Sequence, residues 1–475
     1  MTRRMPTMRG FRLFCTSAGG LLLALSLAVT AFAQDGQETS QADAQAAADA
    51  PQTLSLTLDQ AVEMALERNW DLRLADLALL EAQAAVDEAY APDRLQVNFE
   101  GTYSRLGPEV TMELPLGDDE PVSFTISPSQ NLRYGLQLYK SLYSSGRNET
   151  LQTLAHLQVD VRELESAVAR RQVALAATST FYAVTRAMGF VQVAEEASAA
   201  AREHWRLAAV RYQAGAVPKF DMMRAEVDVA NAEQEIITAR TGVAVAQSAL
   251  KNLLALEMTE PVELVAAPAP VPLEVDPARC ISLAHQNRQE IAVARANQQR
   301  AALAGRLARA QHGVNVNLIG GYDRQGASGI VGDGSWSVTL QASKPISDGG
   351  ASRSKEQQAM IQAEQAATAV EKLHDSIARE VWEAYLRLEE AKSHMQTTTS
   401  TVELAEEALR ISEVRYEAGL ATPVEVSDAR VALTGARTNH VNAVYGYQLA
   451  QAQLLSTINA SEEELGLLVP RSEDQ

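Results

Sequence analysis

The sequence is poor in cysteine and in aromatic residues, and it has no long apolar run beyond its first 33 residues. Two cysteines occur in 475 residues, and aromatic side chains make up 5% of the chain. A transmembrane helix needs about 20 largely apolar residues in a row. Because no such run follows the N-terminal region, this chain can cross a membrane only with strands.

The chain also lacks the motifs that carry catalysis. It has no His-Glu-x-x-His zinc motif, no phosphate-binding glycine loop and no nucleophile elbow, and its seven histidines are scattered. We therefore predict a protein that is not an enzyme and that has no cofactor and no bound metal. The formal net charge of −19 disfavours nucleic acid and anionic lipid as partners and favours cations.

The N-terminus predicts a secretory signal peptide over residues 1–33. A basic start precedes an apolar run over residues 21–32, which ends at the small side chains of Ala31 and Ala33. The basic residues are Arg3, Arg4, Arg9 and Arg12. Residues 34–57 are rich in Gln, Ala, Asp and Ser, which predicts a flexible segment after cleavage.

Both cysteines have simple expected roles. Cys15 lies ahead of the apolar run and lacks the small-residue context of a lipoprotein cleavage site, so we expect no lipid anchor. Cys280 is the only cysteine left after cleavage, so no intramolecular disulfide can form. We expect Cys280 to be a small buried residue.

The most informative feature is an internal repeat of about 200 residues. Three segments of the first copy recur in the second in the same order and at similar spacing: 95–103 with 314–322, 136–142 with 340–346, and 211–215 with 415–419. The copies span residues 58–258 and 278–458. A Pro-rich linker over 259–277 joins them, and residues 459–475 form a C-terminal tail.

Each copy reads helix, strand, strand, long helix, turn, helix. The predicted strands cover about 94–105, 130–141, 313–324 and 334–345, and apolar and polar residues alternate along them. Ten residues of such alternation are typical of an outer-membrane barrel strand. The alternation alone fits a half-buried sheet on a soluble core equally well.

The long helices favour the membrane interpretation. Residues 146–214 and 351–418 contain no proline and have apolar residues at helical spacing. At 1.5 Å per residue each helix would be roughly 100 Å long, which no compact domain encloses. Small alanine stripes on these helices suit close packing in a coiled-coil wall.

Four strands are too few to close a barrel, since about eight is the practical minimum. Open edges do not persist in lipid, so the chain must pool strands with copies of itself. Two copies would give a lumen filled by side chains, and three would leave room for an aqueous pore. We expect the loops at 106–129 and 326–332 to face outside the cell, with Tyr103, Tyr322 and Trp336 as an aromatic girdle or as lone surface aromatics.

Several motifs resemble those of the TolC-type outer-membrane factor family. They are the duplicated Arg-Tyr-x-x-Gly turns, the strand-exit segments 142–147 and 346–350, and the helical entry segments 61–69 and 278–287. The resemblance covers nearly all of the chain after the signal peptide. It implies a mixed α/β membrane protein: a homotrimer whose chains share a twelve-stranded barrel in the outer membrane above a long periplasmic α-helical barrel.

The resemblance also implies sites and partners. A belt around the tunnel would come from residues near 258–277 and the tail. The tip turns, over about 211–220 and 415–424, would contact a periplasmic adaptor protein, and an inner-membrane transporter or secretion ATPase would dock below. The tip residues are Arg211, Tyr212, Gly215, Arg415, Tyr416 and Gly419. Each glycine fits a left-handed helix end, and Pro218 and Pro423 fit the first turn of the next helix.

By the same resemblance, acidic residues line the periplasmic entrance. Glu425 and Asp428 lie three apart, which places them on one helix face, and Asp221 is the acidic residue of the first copy. A solvated acidic face is the simpler alternative. The family's basic residue two positions after the second glycine is replaced by Ala421, so the cation that closes the entrance would be another, such as Lys219 or Arg224.

The leading functional hypothesis is a passive outer-membrane export duct for drugs, metal ions or proteins. The alternative is a structural or adhesive envelope protein without an open lumen. The sequence does not select the cargo, because cargo is chosen mainly by the inner-membrane partner.

Overall fold

A computed structural model describes residues 54–105, 107–108, 110–114, 122–127, 130–265, 273–327 and 330–460. The predicted signal peptide, most of the segment 34–57 and the tail from residue 461 lie outside the described residues. The helices are α1 Leu58–Arg68, α2 Trp70–Ala89, α3 Arg147–Gln213, α4 Lys219–Leu253, α5 Pro277–Asn287, α6 Gln289–Ala310, α7 Ala351–Glu417 and α8 Pro423–Ile458. The strands are β1 Leu54–Leu56, β2 Gln96–Arg105, β3 Val110–Leu114, β4 Val122–Ser127, β5 Gln130–Tyr143, β6 Val262–Leu264, β7 Asn315–Ala327 and β8 Ile330–Ser343.

The two longest helices begin and end at equivalent positions of the two repeats. Helices α3 and α7 contain 67 residues each, so each is about 100 Å long. Each starts directly after a left-handed glycine, Gly146 at φ 83° and Gly350 at φ 88°. Their ends lie just before Gly215 and Gly419, and no proline interrupts either helix. Within the described residues, none of the helices combines the length and the apolar composition needed to cross a membrane.

Strands from both repeats form one antiparallel sheet in the order β2-β5-β7-β8. One face is apolar: its central row contains Phe99, Leu136, Tyr322 and Trp336 in direct register. These side chains are exposed in the single chain, with Trp336 at 78%. The sheet therefore presents an unpartnered apolar surface.

The opposite face of this sheet is polar and hydrogen-bonded. Arg133 Nη2 donates to Asp323 Oδ1 at 3.1 Å, and Ser335 Oγ donates to Asp323 Oδ2 at 3.0 Å. Gln137 Nε2 donates to Glu100 Oε2 at 3.3 Å. The alternation read from the sequence thus separates two chemically distinct faces, one suited to an apolar medium and one to water.

The prediction of a plain loop over 106–129 is wrong. Strands β3 and β4 pair there as an antiparallel hairpin, with Met112 opposite Phe124. The segment 110–114 and the segment 122–127 each alternate apolar and polar residues, the pattern of a strand with two different faces. The Gly-rich loop at 326–332 is also shorter than expected, because β7 runs to Ala327 and β8 resumes at the β-branched Ile330.

A short parallel pair of strands joins two segments that were predicted to be irregular. β1 pairs with β6 from Leu54 opposite Val262 to Leu56 opposite Leu264. Residues 54–56 of the segment predicted to be flexible, and residues 262–264 of the Pro-rich linker, are therefore ordered strands. The cause is burial, because Leu56 and Leu264 enter the core of the first repeat.

Each repeat has its own core at equivalent positions. The first core groups α1, the first turn of α2, α3 and the end of α4, with Ala61, Ala65, Leu72, Val173, Ala177, Val184, Leu250 and Leu254. The second uses the same positions of its own repeat, with Cys280, Ala284, Ile291, Ile377, Val381, Leu388, Leu454 and Ile458. Cys280 is fully buried, which confirms the role expected for it.

Asparagine side chains connect the end of one helix to the start of another beside each long helix. Asn69 Oδ1 accepts from Asp71 N at the start of α2, while its Nδ2 donates to the Leu253 carbonyl at the end of α4. In the second repeat, Asn459 Nδ2 donates to the Asn287 carbonyl at 3.0 Å. Helices α4 and α2 therefore meet at a fixed joint.

A partly buried ion network joins the two repeats near these joints. Arg171 of α3 pairs with Glu290 of α6, and Arg288 bridges Glu290 at 3.0 Å and Glu380 of α7 at 2.6 Å. Burial alone would raise the pKa of Glu290, but hydrogen bonds from Arg288 and Arg171 outweigh it and hold that pKa at about 2. The two repeats are thus held by one carboxylate between two guanidinium groups.

Candidate functional site

The two tip turns share one backbone geometry. Gly215 and Gly419 both have φ 74°, and a Cβ at either position would meet nothing within 4 Å. In the first turn, Gly215 N donates to the Tyr212 carbonyl and Ala216 N to the Arg211 carbonyl, both at 2.9 Å. The second turn repeats these bonds at the matching positions. This is the Schellman helix ending, which requires a left-handed residue and therefore favours glycine.

The helices that leave the two turns start differently. Pro423 occupies the first turn of α8, as predicted, and Thr422 and Glu425 form a capping box there. Pro218 is instead the residue before α4, so the prediction that it sits inside the first turn is off by one position. The second copy therefore has the better-defined helix start.

The two tip tyrosines lie in different environments. The Arg211 guanidinium lies 4.6 Å from the centre of the Tyr416 ring, and the His204 ring lies 6.0 Å from it on the same helix as Arg211. Tyr416 is only 8% exposed, whereas Tyr212 is 38% exposed. The turn of the second repeat is thus packed against α3, while the turn of the first repeat has an open ring.

Sequence reasoning missed His204 and Arg430, which support this packing. Arg430 Nη2 donates to Glu413 Oε1 at 2.9 Å, tying α8 to α7 beneath the turn. Burial lowers the pKa of His204, and the nearby Arg430 lowers it further. A lone histidine in a helical sequence gives no signal of this kind, because its neighbours come from other helices.

The structure places the three acidic residues near helix starts. Glu425 Oε1 accepts from Thr422 N at 3.1 Å, and hydrogen bonds from the Thr422 backbone and hydroxyl lower the pKa of Glu425. Asp428 is exposed one turn later on α8, and Asp221 lies in the first turn of α4. The helix dipole favours a carboxylate in the first turn, where Glu425 and Asp221 lie. Glu425 and Asp428 are exposed in the single chain, and Asp221 is partly exposed.

The cation beside this acidic group is Arg415. Its Nη1 lies 3.7 Å from Glu425 Oε2, and its Nη2 donates to the Leu420 carbonyl at 3.4 Å. Neither Lys219 nor Arg224 forms an ion pair within the described part of the chain. Within one chain, Arg415 is thus the cation that pairs with Glu425. That Lys219 or Arg224 closes the entrance stays a prediction. No cluster of three or more potential metal ligands occurs among the described residues.

Comparisons with known proteins give one consistent result. The family model described as outer membrane efflux protein matches residues 61–256 and 280–460. The outer membrane protein TolC of Escherichia coli strain K12 is 28% identical over 159 residues, which are 33% of this chain and 32% of TolC. The match therefore spans about a third of TolC.

Solved structures share the fold. The CmeC outer membrane channel of Campylobacter jejuni superposes with a TM-score of 0.70 at 17% identity, covering 88% of this chain and 87% of that one. A membrane protein from Pseudomonas aeruginosa gives 0.69 at 21% identity, covering 84% and 93%. At such identities the likeness concerns the fold.

Proposed function

Because the chain belongs to the outer membrane efflux protein family, we propose that it is one subunit of a homotrimeric exit duct. It is an outer-membrane protein of a Gram-negative bacterium with a long periplasmic helical portion. In the proposed duct, three chains share a twelve-stranded barrel above an α-helical tunnel. A periplasmic adaptor and an inner-membrane transporter or secretion ATPase deliver the substrate, which passes through without chemical change.

The open sheet is the observation that carries this proposal. Strands β2 and β8 are its edges, and each edge leaves backbone donors and acceptors unpaired. The apolar face suits lipid, but lipid tolerates no free strand edge. Pairing of β8 with β2 of a neighbouring copy satisfies both edges and closes the sheet.

The repeat fixes how this pairing should occur. Within the chain, β5 of the first repeat pairs with β7 of the second, and Gln137 stands opposite Gly321. In the second repeat, the equivalent of Gln137 is Gln341 on β8, 204 residues later. In the first repeat, the equivalent of Gly321 is Thr102 on β2, 219 residues earlier. Repeating the contact between copies therefore sets Gln341 opposite Thr102 of the neighbouring copy.

Burial along the helices supports the same closure. Helix α3 packs against helices of both repeats, and fourteen of its side chains are buried, against six in the equivalent α7. Helix α8 buries nine side chains and the equivalent α4 only two. The exposed sides of α7 and α4 are those that neighbouring copies would cover. Three copies give twelve strands, enough for an aqueous lumen.

A cross-link across the proposed strand pair tests the assembly. With Thr102→Cys and Gln341→Cys in one chain, mild oxidation should give covalent trimers, because opposed Cβ atoms lie about 5 Å apart. The products are counted on denaturing gels without reductant. Thr102→Cys with Ser337→Cys is the control, since four residues along a strand shift the partner by roughly 13 Å. Monomers from the first pair, or equal yields from both, would refute the shared barrel.

The tip turns should carry adaptor recognition. Changing Gly215 and Gly419 to alanine strains both left-handed residues by about 1 kcal/mol each, roughly a thirtyfold loss of the native turn geometry for the pair. Adaptor cross-linking in cells should fall while the amount of trimer is unchanged. The matched control is Gly242→Ala with Gly446→Ala, equivalent helix-interior sites with open space where cross-linking should hold. Normal adaptor cross-linking in the tip variant would show that the turns are not part of the docking surface.

A further inference from the structure

We propose that Arg415 of each copy stacks on Tyr212 of a neighbouring copy, which links the tips of the assembly through arginine–tyrosine contacts. The inference rests on the assembly proposed above. It adds a specific contact between copies at the end of the tunnel farthest from the strands.

The same contact already exists inside one chain. Arg211 of α3 lies with its guanidinium carbon 4.6 Å from the centre of the Tyr416 ring at the end of α7. A guanidinium within about 6 Å of a ring face is attracted by the ring's negative charge distribution. The contact joins the tip of the first repeat to the tip of the second.

The repeat transfers this contact to the boundary between copies. Arg415 is the equivalent of Arg211 in the second repeat, 204 residues later. Tyr212 is the equivalent of Tyr416 in the first repeat, 204 residues earlier. Within the chain, the end of α3 contacts the end of α7. In the closed assembly, the end of α7 would contact the end of α3 of the next copy in the same way. The pair that is Arg211 with Tyr416 inside a chain thus becomes Arg415 with Tyr212 between chains.

Both members of the proposed pair are available. Tyr212 is 38% exposed, and the Arg415 side chain is 54% exposed. The contacts of Arg415 in its own chain are weak, since Glu425 lies beyond hydrogen-bond distance at 3.7 Å and the Leu420 carbonyl is at 3.4 Å. A stack that removes water from the guanidinium face can therefore compete with these exposed polar contacts.

The two contacts differ in one neighbour, and this predicts which is weaker. His204 supports the Tyr416 ring from α3, whereas its equivalent on α7 is Ala408. Tyr212 would therefore be held by Arg415 without an imidazole beside it. Contacts between copies should part before contacts within a copy, so the entrance would open along the boundaries between subunits.

Paired cysteines provide a self-calibrated test. The chain with Arg211→Cys and Tyr416→Cys is treated with a series of bismaleimides to find the spacer that bridges the known contact, and its product should be a cross-linked monomer. The chain with Tyr212→Cys and Arg415→Cys, treated with the same spacer, should give covalent dimers and trimers. Cys280 does not interfere, because it is fully buried and burial raises the pKa of its thiol to about 11.

Three outcomes are distinguishable. Covalent dimers and trimers from the Tyr212 and Arg415 pair support the inference. Monomers from that pair, in a protein whose Thr102 and Gln341 cysteines still give trimers, overturn this contact and leave the duct intact. Failure of the Thr102 and Gln341 pair as well would overturn the assembly itself.

Amide hydrogen exchange in the trimer tests the role of the arginine. Arg415→Ala should speed exchange of the Gly215 and Ala216 amides by about two- to fivefold, the size expected for one exposed cation–π contact. Arg211→Ala should do the same at the amides of Gly419 and Leu420. Unchanged exchange at Gly215 and Ala216 in Arg415→Ala, beside a clear effect of Arg211→Ala, would show that Arg415 does not reach the neighbouring copy.

Discussion

Replacing Glu425 by glutamine and Asp428 by asparagine should weaken the block of the channel by a trivalent cation complex at least tenfold. The family resemblance predicts that these residues line the entrance, where the proposed trimer would have six such carboxylates. At 5 Å and an effective dielectric of about 20, the attraction between a trivalent ion and one carboxylate is many times RT. Single-channel recording in planar bilayers, with the complex added on the periplasmic side, measures the block and the cation preference.

The choice of substitutions separates charge from folding. Glutamine can keep the capping box with Thr422, so the start of α8 survives the loss of charge. Glu417→Gln with Glu403→Gln, two exposed residues of the preceding helix, is a control with the same change in net charge, and it should retain the block. Equal block in the wild type and in the Glu425 and Asp428 variant would show that these residues form a solvated acidic face and do not line the entrance. A trimer without any conductance would favour the structural envelope protein instead.

Conditions should change the block in a defined direction. Raising the salt from 0.15 M to 1 M shortens the screening length from about 8 Å to about 3 Å, which weakens it. Glu425 carries its charge above its pKa, and hydrogen bonds from Thr422 lower that pKa. The Glu425 contribution to the block should therefore persist below the ordinary glutamate pKa and disappear only on further acidification.

Replacing Glu290 by glutamine should destabilise the folded protein by about 3 kcal/mol, because two partly buried guanidinium groups lose their shared carboxylate. The pKa of Glu290 in the folded state is about 2, below that of an unfolded glutamate. Its stabilisation is thus present above about pH 4.5 and is lost as the pH falls toward about 2. Denaturant unfolding of the detergent-solubilised protein between these pH values measures the effect.

An exposed pair provides the control for Glu290. Glu203 and Arg206 form a 2.6 Å ion pair on α3 with both side chains about two-thirds exposed. Glu203→Gln should change the unfolding midpoint very little, because exposed ion pairs add little stability. If Glu290→Gln is equally mild, or if its effect persists unchanged at the lowest pH, the network does not hold the repeats together.

Much of the fold could be predicted because its signals are local and occur twice. The long helices follow from proline-free stretches between two glycines, and the turns follow from the left-handed positions at Gly215 and Gly419. The strand faces follow from alternation, and the register places Phe99, Leu136 and Tyr322 in one row. The helix limits, the turns and the alternation within each strand are determined by residues near one another in the sequence. The register of Leu136 with Tyr322 instead joins the two repeats.

The remaining features depend on residues far apart in the chain. The pairing of β1 with β6 joins segments more than 200 residues apart, and three-residue strands carry almost no local pattern. The packing of His204 on Tyr416 and the bond from Asn69 to Leu253 likewise cross between helices. The contact of Arg415 with Glu425 has one sequence signal, because Arg415 is the arginine of the Arg-Tyr-x-x-Gly motif itself. The prediction named cations outside this motif and therefore did not include it.

The asparagine joints have a consequence for how the length of the molecule can vary. Because α4 ends and α2 begins at Asn69, the partner of α3 consists of two pieces with independent lengths. One heptad could be removed from α3 and one from α4 below the joint, with the same change in α7 and α8. This would shorten the proposed tunnel by about 10 Å, and the remaining residues would face the same neighbours, because seven residues are close to two helical turns. The strands and the joints would be untouched. Relatives could thus differ in reach by whole heptads, always removed or added four at a time.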